Sequence, residues 1–296
     1  MQPDLVTGKT TKPDYSAPAL LKHRSEIVPP RPREQFWSCP QSYDDPAVER
    51  LYRKQRLAGA MRMFHQRDFL WGIAGHITVR DPELTDHYWA HPWGMPFSRV
   101  RVTDLLLVDP CGKVVAGNYD RSNPPLSGAA FSFHAGIYRA RPDVISVAHS
   151  HSPKATTWSA FARHVEPLTQ NSAVFFESHA VFNEYDGLPF DQGIEHELAE
   201  GDRIAQALGN NKVVLLQNHG AISVGPSVEI GTWLFIAFEE ACRIQLEAES
   251  VGSQPIVMPD ELARQTQSQI GSDACSFVCF ESLWQTLVQR EVEFLD

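Results

Sequence analysis

Apolar positions recur along this chain with two periods, and the switches between them mark out its elements. From Pro46 the residues Val48, Leu51, Tyr52, Ala58 and Met61 keep helical spacing to about His65, behind Asp44-Asp45 as a cap and with proline as the first helical residue. Short strands with turn punctuation follow: Gly72 to Val79, a piece at Tyr88-Trp89-Ala90, and Leu105 to Val108. The last runs through Asp109-Pro110-Cys111-Gly112 into Lys113 to Ala116 as a hairpin, so the sheet is expected to be at least partly antiparallel.

Helical spacing returns from Ser127 through Phe131, His134, Ile137 and Tyr138 and stops before Pro142. Val144 to Ala148 reads as a buried strand, and Ser152-Pro153 as the cap of a helix from Lys154 to Ala162. A further strand is expected at Ala173 to Phe176, a helix from about Gly193 to Leu208 closed by Gly209, and another buried strand at Val213 to Leu216. The longest helix follows Pro226-Ser227 and passes Trp233, Ile236, Ala237, Glu240 and Ile244 to about Glu249. Residues 251 to 270 are polar with Gly252, Pro255 and Pro259, and Phe280 to Leu295 predicts a closing amphipathic helix.

Seven prolines within residues 1–45 exclude a helix or a central strand there and predict an extended arm, with Phe36-Trp37 as a piece able to pack on the body. The expected division is therefore an arm at 1–45, a domain at 46–250, and a linker and helix at 251–296. With 43% apolar residues in 296, the domain has ample material for a core. No run approaches the roughly 18 apolar residues that cross a bilayer, and the first residues carry no signal-like apolar stretch, so a cytoplasmic protein without a membrane partner is expected.

A formal charge of −10 excludes a positive field for nucleic acid. Five scattered cysteines without a CxxC pair suit reduced thiols; Cys275 and Cys279, four apart in a segment expected to be helical, read as ordinary burial rather than a metal or redox pair.

The chemistry concentrates in histidines. Strand geometry sends alternate side chains to one face, so His149 and His151 project together with Ser150 turned away. Gln217-Asn218-His219-Gly220 follows the second buried strand as His149 follows the first. Three imidazoles at two strand ends make a candidate divalent-cation site with positions left open for water or substrate.

Several segments resemble the class II aldolase/adducin family over roughly residues 46–250. The most specific are Ile137-Tyr138-Arg139-Ala140-Arg141-Pro142-Asp143-Val144 leading into His149-Ser150-His151-Ser152-Pro153, and Gln217-Asn218-His219-Gly220 with Val224-Gly225 behind it. Gly72 to Arg80 and Asp104 to Asp109 with Gly112 add to the likeness. The resemblance implies a three-layer α/β/α sandwich around a mostly antiparallel sheet and a homo-oligomer, usually a tetramer. It also implies that His149, His151 and His219 hold a divalent metal, zinc in the common case and Fe²⁺ as the alternative. Such a metal polarises a carbonyl of a small-molecule substrate.

The chain departs from the family pattern in ways that matter chemically. The glutamate that transfers protons in the sugar-phosphate aldolases of the family falls on Ala130. His76 replaces an asparagine of the phosphate loop, and Trp93-Gly94 stands where Ser-Gly is usual. A phosphate dianion needs several donors at fixed places, so these losses predict a substrate without phosphate. Trp71, Trp93, Phe131 and Phe133 suggest an apolar or aromatic one.

Glu177 and His179 are the candidates for proton transfer or a fourth ligand, and His76, Trp93 and His134 for substrate contact. The leading expectation is a metal-dependent lyase doing aldol-type cleavage or decarboxylation of an oxo- or hydroxy-acid, in a family setting suited to specialised metabolism. The alternative is an Fe(II) oxygenase like those members that oxidatively decarboxylate prenylated hydroxyphenylpyruvates. A non-catalytic adducin-like module is the third reading, set against the fact that adducin heads have typically lost the three histidines that this chain keeps.

Overall fold

A computed structural model describes residues 28, 42–118, 128–184 and 194–296, without the side chains of 128–131 and 194–197. Most of the expected N-terminal arm, including Phe36-Trp37, lies outside these residues. In chain order the elements are α1 (Pro46–Gln66), β1 (Gly75–Arg80), β2 (Tyr88–Ala90), β3 (Leu106–Val108), β4 (Val114–Ala116), α2 (Gly128–Ala140) and β5 (Ser146–Ser150). Then come α3 (Pro153–Ser159), β6 (His179–Phe182), α4 (Ile194–Leu208), β7 (Val213–Leu216), β8 (Gly220–Gly225), α5 (Val228–Ser250), α6 (Asp260–Ile270) and α7 (Asp273–Arg290).

The strands form one sheet in the order β4-β3-β2-β1-β5-β8-β7-β6. Every pairing is antiparallel except β6 with β7. Side-chain alternation feeds two cores: Val213 and Leu215 enter one, Val214 and Leu216 the other. Helices α1, α3, α5 and α7 cover the first face, and α2 and α4 the second, so the three-layer sandwich expected from the sequence is what forms. The two helices of the second face meet backbone to backbone at Gly136 and Gly201, where an added Cβ on either would strike the other helix.

Helix α1 is buried on all sides although it is rich in charge: every residue from Glu49 to Phe64 is out of solvent. Charges taken from water must be matched. Arg50 makes a paired contact to Asp81 at 2.7 and 3.0 Å, Arg53 binds Glu49 at 2.6 Å and the Arg80 carbonyl at 2.7 Å, and Arg56 reaches Glu281 at 2.9 Å. Lys54 sits 4.2 Å over the Trp89 ring, and burial pushes its ammonium down to about 8. Asp81 is the hub, because it also accepts from the Trp89 indole N–H at 2.9 Å and from two backbone N–H groups of its own turn.

Three expectations need correction. The run Ala173-Val174-Phe175-Phe176 is a 3₁₀ turn (Ser172–Phe175), and the strand begins later, at His179. Residues 260–270 form a helix, begun after Pro259 with Asp260 and Glu261 in its first turn, although they read as polar linker. The closing helix starts at Asp273, capped by the Ser272 hydroxyl on the Cys275 N–H at 3.2 Å, and ends at Arg290. Its Trp284 ring lies 3.9 Å from the Arg56 guanidinium, which joins the C-terminal segment to α1. No helix among the described residues is long and apolar enough to cross a membrane.

Asp81→Ala removes the two-point partner of the buried Arg50 guanidinium, which keeps its Glu83 contact, and the acceptor of the Trp89 indole N–H together. Breaking a buried pair from one side costs about 3–5 kcal/mol, so urea unfolding is expected to show a loss of that order, with Asp81→Asn losing clearly less.

Candidate metal centre

The site grows from the end of β5. His149 and His151 face the α2 side, while Ser150 and Ser152 face the α5 side and are tied down there. The Ser150 hydroxyl donates to the Phe69 carbonyl. The Ser152 hydroxyl donates to Glu239 at 2.6 Å, and the same buried carboxylate accepts the Lys154 and Ala155 N–H groups at 2.8 and 2.7 Å, closing the start of α3. The strand end carrying the imidazoles is thus held from behind.

His219 arrives on the three-residue loop between β7 and β8. Asn218 takes φ 58°, a left-handed conformation that asparagine tolerates. Gly220 takes φ 154°, and a Cβ there would meet the Ser150 carbonyl at 2.9 Å. Asn-His-Gly is therefore both the turn that the β7–β8 hairpin requires and the means of aiming one imidazole at β5.

The three ligand atoms lie within 4.8 Å of one another, with His149 and His219 buried and His151 half-buried. His149 Nδ1 donates to the Ala221 carbonyl at 2.9 Å, which leaves Nε2 as the lone-pair nitrogen, the orientation expected of a metal-binding histidine. Burial and the neighbouring rings hold His149 well below its usual range, burial lowers His151, and burial followed by His151 takes His219 down to about 4. All three are neutral at pH 7, the form in which imidazole binds a cation. Nitrogens bound at about 2.0–2.1 Å around a tetrahedral ion stand about 3.4 Å apart, so this donor set fits a divalent cation.

A second imidazole pair flanks the triad. The His76 ring lies 4.8 Å from His149 and 4.6 Å from His134. His76 Nδ1 and His134 Nε2 are 2.6 Å apart, His134 Nδ1 is 2.6 Å from Thr78 Oγ1, and Thr78 reaches the Tyr138 hydroxyl at 2.8 Å. Tyr138 can donate to the Ile145 carbonyl at 3.3 Å. Two proton arrangements satisfy this chain, one leaving His76 Nε2 with a lone pair and the other with an N–H. Burial takes His134 down to about 3 and His76 well below its usual range, so both are neutral. Phe133 closes the wall, its ring 5.8 Å from His219 and 6.2 Å from His149.

Sequence reasoning missed His91, just beyond β2. It is buried, its Nδ1 has no hydrogen-bond partner among the described residues, its ring stands edge-on to Phe97 at 4.9 Å, and it is near enough to His76 and His134 for a charge on it to lower both. The signal available was position: His91-Pro92-Trp93 leaves β2 at the end of the sheet where the triad lies. Trp93 is 48% exposed on that loop, and Trp71 is 77% exposed before β1. The side chain of Phe131 lies outside the described residues.

Glu177 and His179 are not brought to the triad. Strand β6 runs parallel to β7, which puts His179 beside Val213, at the end of the sheet opposite His219 and on the α5 side. His179 Nδ1 donates to the Phe175 carbonyl at 2.7 Å and Nε2 accepts from the Val165 N–H at 3.0 Å, so both nitrogens serve the backbone. Glu177 is exposed, at φ 51°, and pairs with Arg264 at 3.0 Å. Moving the strand start from 173 to 179 is what turns this segment away.

The Class II Aldolase and Adducin N-terminal domain model matches residues 55–246. This chain belongs to the class II aldolase/adducin family. Decarboxylase NovR of Streptomyces niveus is 38% identical over 90% of this chain and 95% of its own length. A 4-hydroxy-3-prenylphenylpyruvate oxygenase/4-hydroxy-3-prenylbenzoate synthase of Streptomyces roseochromogenus is likewise 38% identical, over 90% and 92%. Among solved structures, the L-fuculose 1-phosphate aldolase of Glaciozyma antarctica superposes with a TM-score of 0.76 at 30% identity, covering 85% of this chain and 94% of that one. Within the family frame, position 130, where the sequence comparison expected the proton-transferring glutamate, is alanine in the first turn of α2.

The buried neutral histidines make the metal-free fold acid-sensitive. His91 and His179 fall to about 4 and His134 to about 3, while in an unfolded chain each titrates near 6.5. Between those limits the unfolded chain binds more protons, so stability falls as pH falls, by about 1.4 kcal/mol per pH unit for each such group. Urea unfolding of metal-free protein is expected to weaken steeply from pH 6.5 to 4.5; a flat profile contradicts their burial as neutral groups.

Proposed function

We propose that the chain is a metal-dependent lyase that breaks a carbon–carbon bond in a non-phosphorylated oxo- or hydroxy-acid bearing an aryl or similarly apolar group. The observation that carries this reading is the three-imidazole cluster set beside a neutral, hydrogen-bonded imidazole pair. With a neutral donor set, a bound divalent cation keeps its full charge and supplies Lewis-acid polarisation of a carbonyl. Zinc is the proposed occupant. His149, His151 and His219 would hold it, with Ala221 fixing the His149 tautomer.

The remaining roles belong to side chains already in place. His76 Nε2 faces two possible states, so it can donate to a substrate oxygen or take a proton from one, with His134, Thr78 and Tyr138 adjusting behind it. Phe133 keeps water from the same wall. Trp71 and Trp93, on the loops at the triad end, offer an apolar surface to the rest of the substrate. For decarboxylation the bond to the carboxyl carbon breaks, carbon dioxide leaves, and the electron pair passes to a carbonyl one carbon away before a proton is returned to carbon. The chemistry therefore calls for a 3-oxo acid, or for a 3-hydroxy carbonyl compound in the aldol-type case.

A second reading is favoured by the two Streptomyces relatives, one named a decarboxylase and the other an oxygenase. An aryl 2-oxo acid has no carbonyl placed to accept that electron pair, so at a site of this kind its decarboxylation would take molecular oxygen as oxidant, one oxygen atom ending in the new carboxyl group and the other in the body of the substrate, and three neutral imidazoles also suit Fe(II).

One experiment separates the two readings. Carbon dioxide release and oxygen uptake are measured with aryl 3-oxo and 2-oxo acids on zinc- and iron-loaded protein. Release without oxygen uptake from the 3-oxo acid supports the lyase; uptake matching release, with iron and the 2-oxo acid alone, replaces it with the oxygenase. His219→Ala is expected to lower kcat/KM by at least roughly 100-fold, since loss of an outer partner alone costs about 10–100-fold. His76→Ala should lower kcat with metal content unchanged. Turnover unaffected by His219→Ala contradicts both readings.

A further inference from the structure

Behind β5, on the side away from the triad, lies a groove of about 810 Å³, within the size range of small-molecule sites. Its floor is one stripe of α5, with Trp233, Ile236 and Ala237 at spacings of three and one, and Phe69 and Leu283 add apolar walls. The groove touches the strand that holds the histidines: Phe69 and Glu239, both in its lining, are the residues bonded to Ser150 and Ser152.

The lining carries Arg67, Lys154 and Arg243 together with Glu239 and Glu240, and Glu247 lies beside Arg243. Arg243 is occupied by Glu240 and Glu247. Glu239 is occupied by Ser152 and the start of α3. Among the described residues the Arg67 guanidinium bonds the Met63 carbonyl and neither it nor the Lys154 ammonium has a carboxylate partner, and desolvation lowers the Arg67 guanidinium from its ordinary value. Arg67 precedes Phe69, whose carbonyl holds Ser150, and Lys154 lies four residues beyond that serine, so both flank the same strand end.

We propose that this groove is a binding site for an amphipathic monoanion, a carboxylate on an aliphatic body, with the carboxylate at Arg67 and Lys154 and the chain along the Trp233–Ile236–Ala237 stripe. An apolar trough edged by two cationic side chains without carboxylate partners among the described residues matches that chemistry: burial supplies the attraction along the body, and a charge-assisted pair fixes the head. The proposal is independent of the reaction at the histidines.

Calorimetric titration of the full chain with decanoate tests it, against decan-1-ol and decyltrimethylammonium as uncharged and oppositely charged bodies of the same length. The expected result is saturable one-to-one binding of decanoate, with decan-1-ol weaker by about tenfold or more and the ammonium without binding. The double variant Arg67→Gln/Lys154→Gln should weaken decanoate about tenfold, and Ala237→Trp, which fills the trough, should abolish it. On the unmodified protein, decanoate should slow alkylation of Cys275 and Cys279, which line the groove, and leave exposed Cys111 unchanged. No saturable binding by the unmodified chain, equal binding of decan-1-ol, or decanoate affinity untouched by Ala237→Trp would each overturn the proposal. So would loss of an oligomer on Ala237→Trp together with no decanoate binding, which assigns the groove to a second copy of the chain.

Discussion

Successive side chains of a strand point to opposite faces, and at the end of β5 that single fact organises the molecule. Two histidines on one face can serve a common centre only if the backbone between them is fixed, and the intervening and following serines do the fixing from the other face. Ser150 is bonded to the Phe69 carbonyl and Ser152 to a carboxylate that also closes the next helix. The neighbouring hairpin then delivers the third imidazole through a turn whose left-handed asparagine and tightly packed glycine leave little freedom in where His219 stands. Each imidazole is held neutral by burial, so the site gains its charge only from what it binds.

Around this strand the two faces of the sheet do different work. The α2 side carries imidazoles, Thr78, Tyr138 and Phe133, a neutral polar lining with interchangeable proton positions. The α5 side carries the larger core and, through α1, a set of paired buried charges centred on Asp81. Those pairs reach from the turn after β1 to α7, so the strand adjoining β5 and the C-terminal helices share one framework.

Much of this was legible from residue order alone. Proline-bounded helices and the apolar runs at 144–148 and 213–216 gave the elements, the family resemblance implied their three layers, and His149-Ser150-His151 with Asn218-His219-Gly220 gave the triad, because alternation and turn chemistry are local properties. What failed was non-local. The apolar run at 173–176 could not reveal that it turns as a 3₁₀ segment, nor that the strand after it runs parallel to β7, and the direction of that strand decides whether His179 meets His219 or lies at the far end. The helix at 260–270 buries only Ala263 among its residues, so its sequence reads as linker. His91 carried no periodic signal, since its place depends on which strand end β2 shares with β5.

The central claim is that three imidazoles on two strand ends form one cation site. Elemental analysis of protein purified without added metal tests it most directly, comparing the unmodified chain with His149→Ala, His151→Ala and His219→Ala. Close to one equivalent of a single transition metal per chain is expected, lost in each variant and retained in His179→Ala. Metal content unchanged by the three substitutions, or lost equally with His179→Ala in a folded protein, would contradict it.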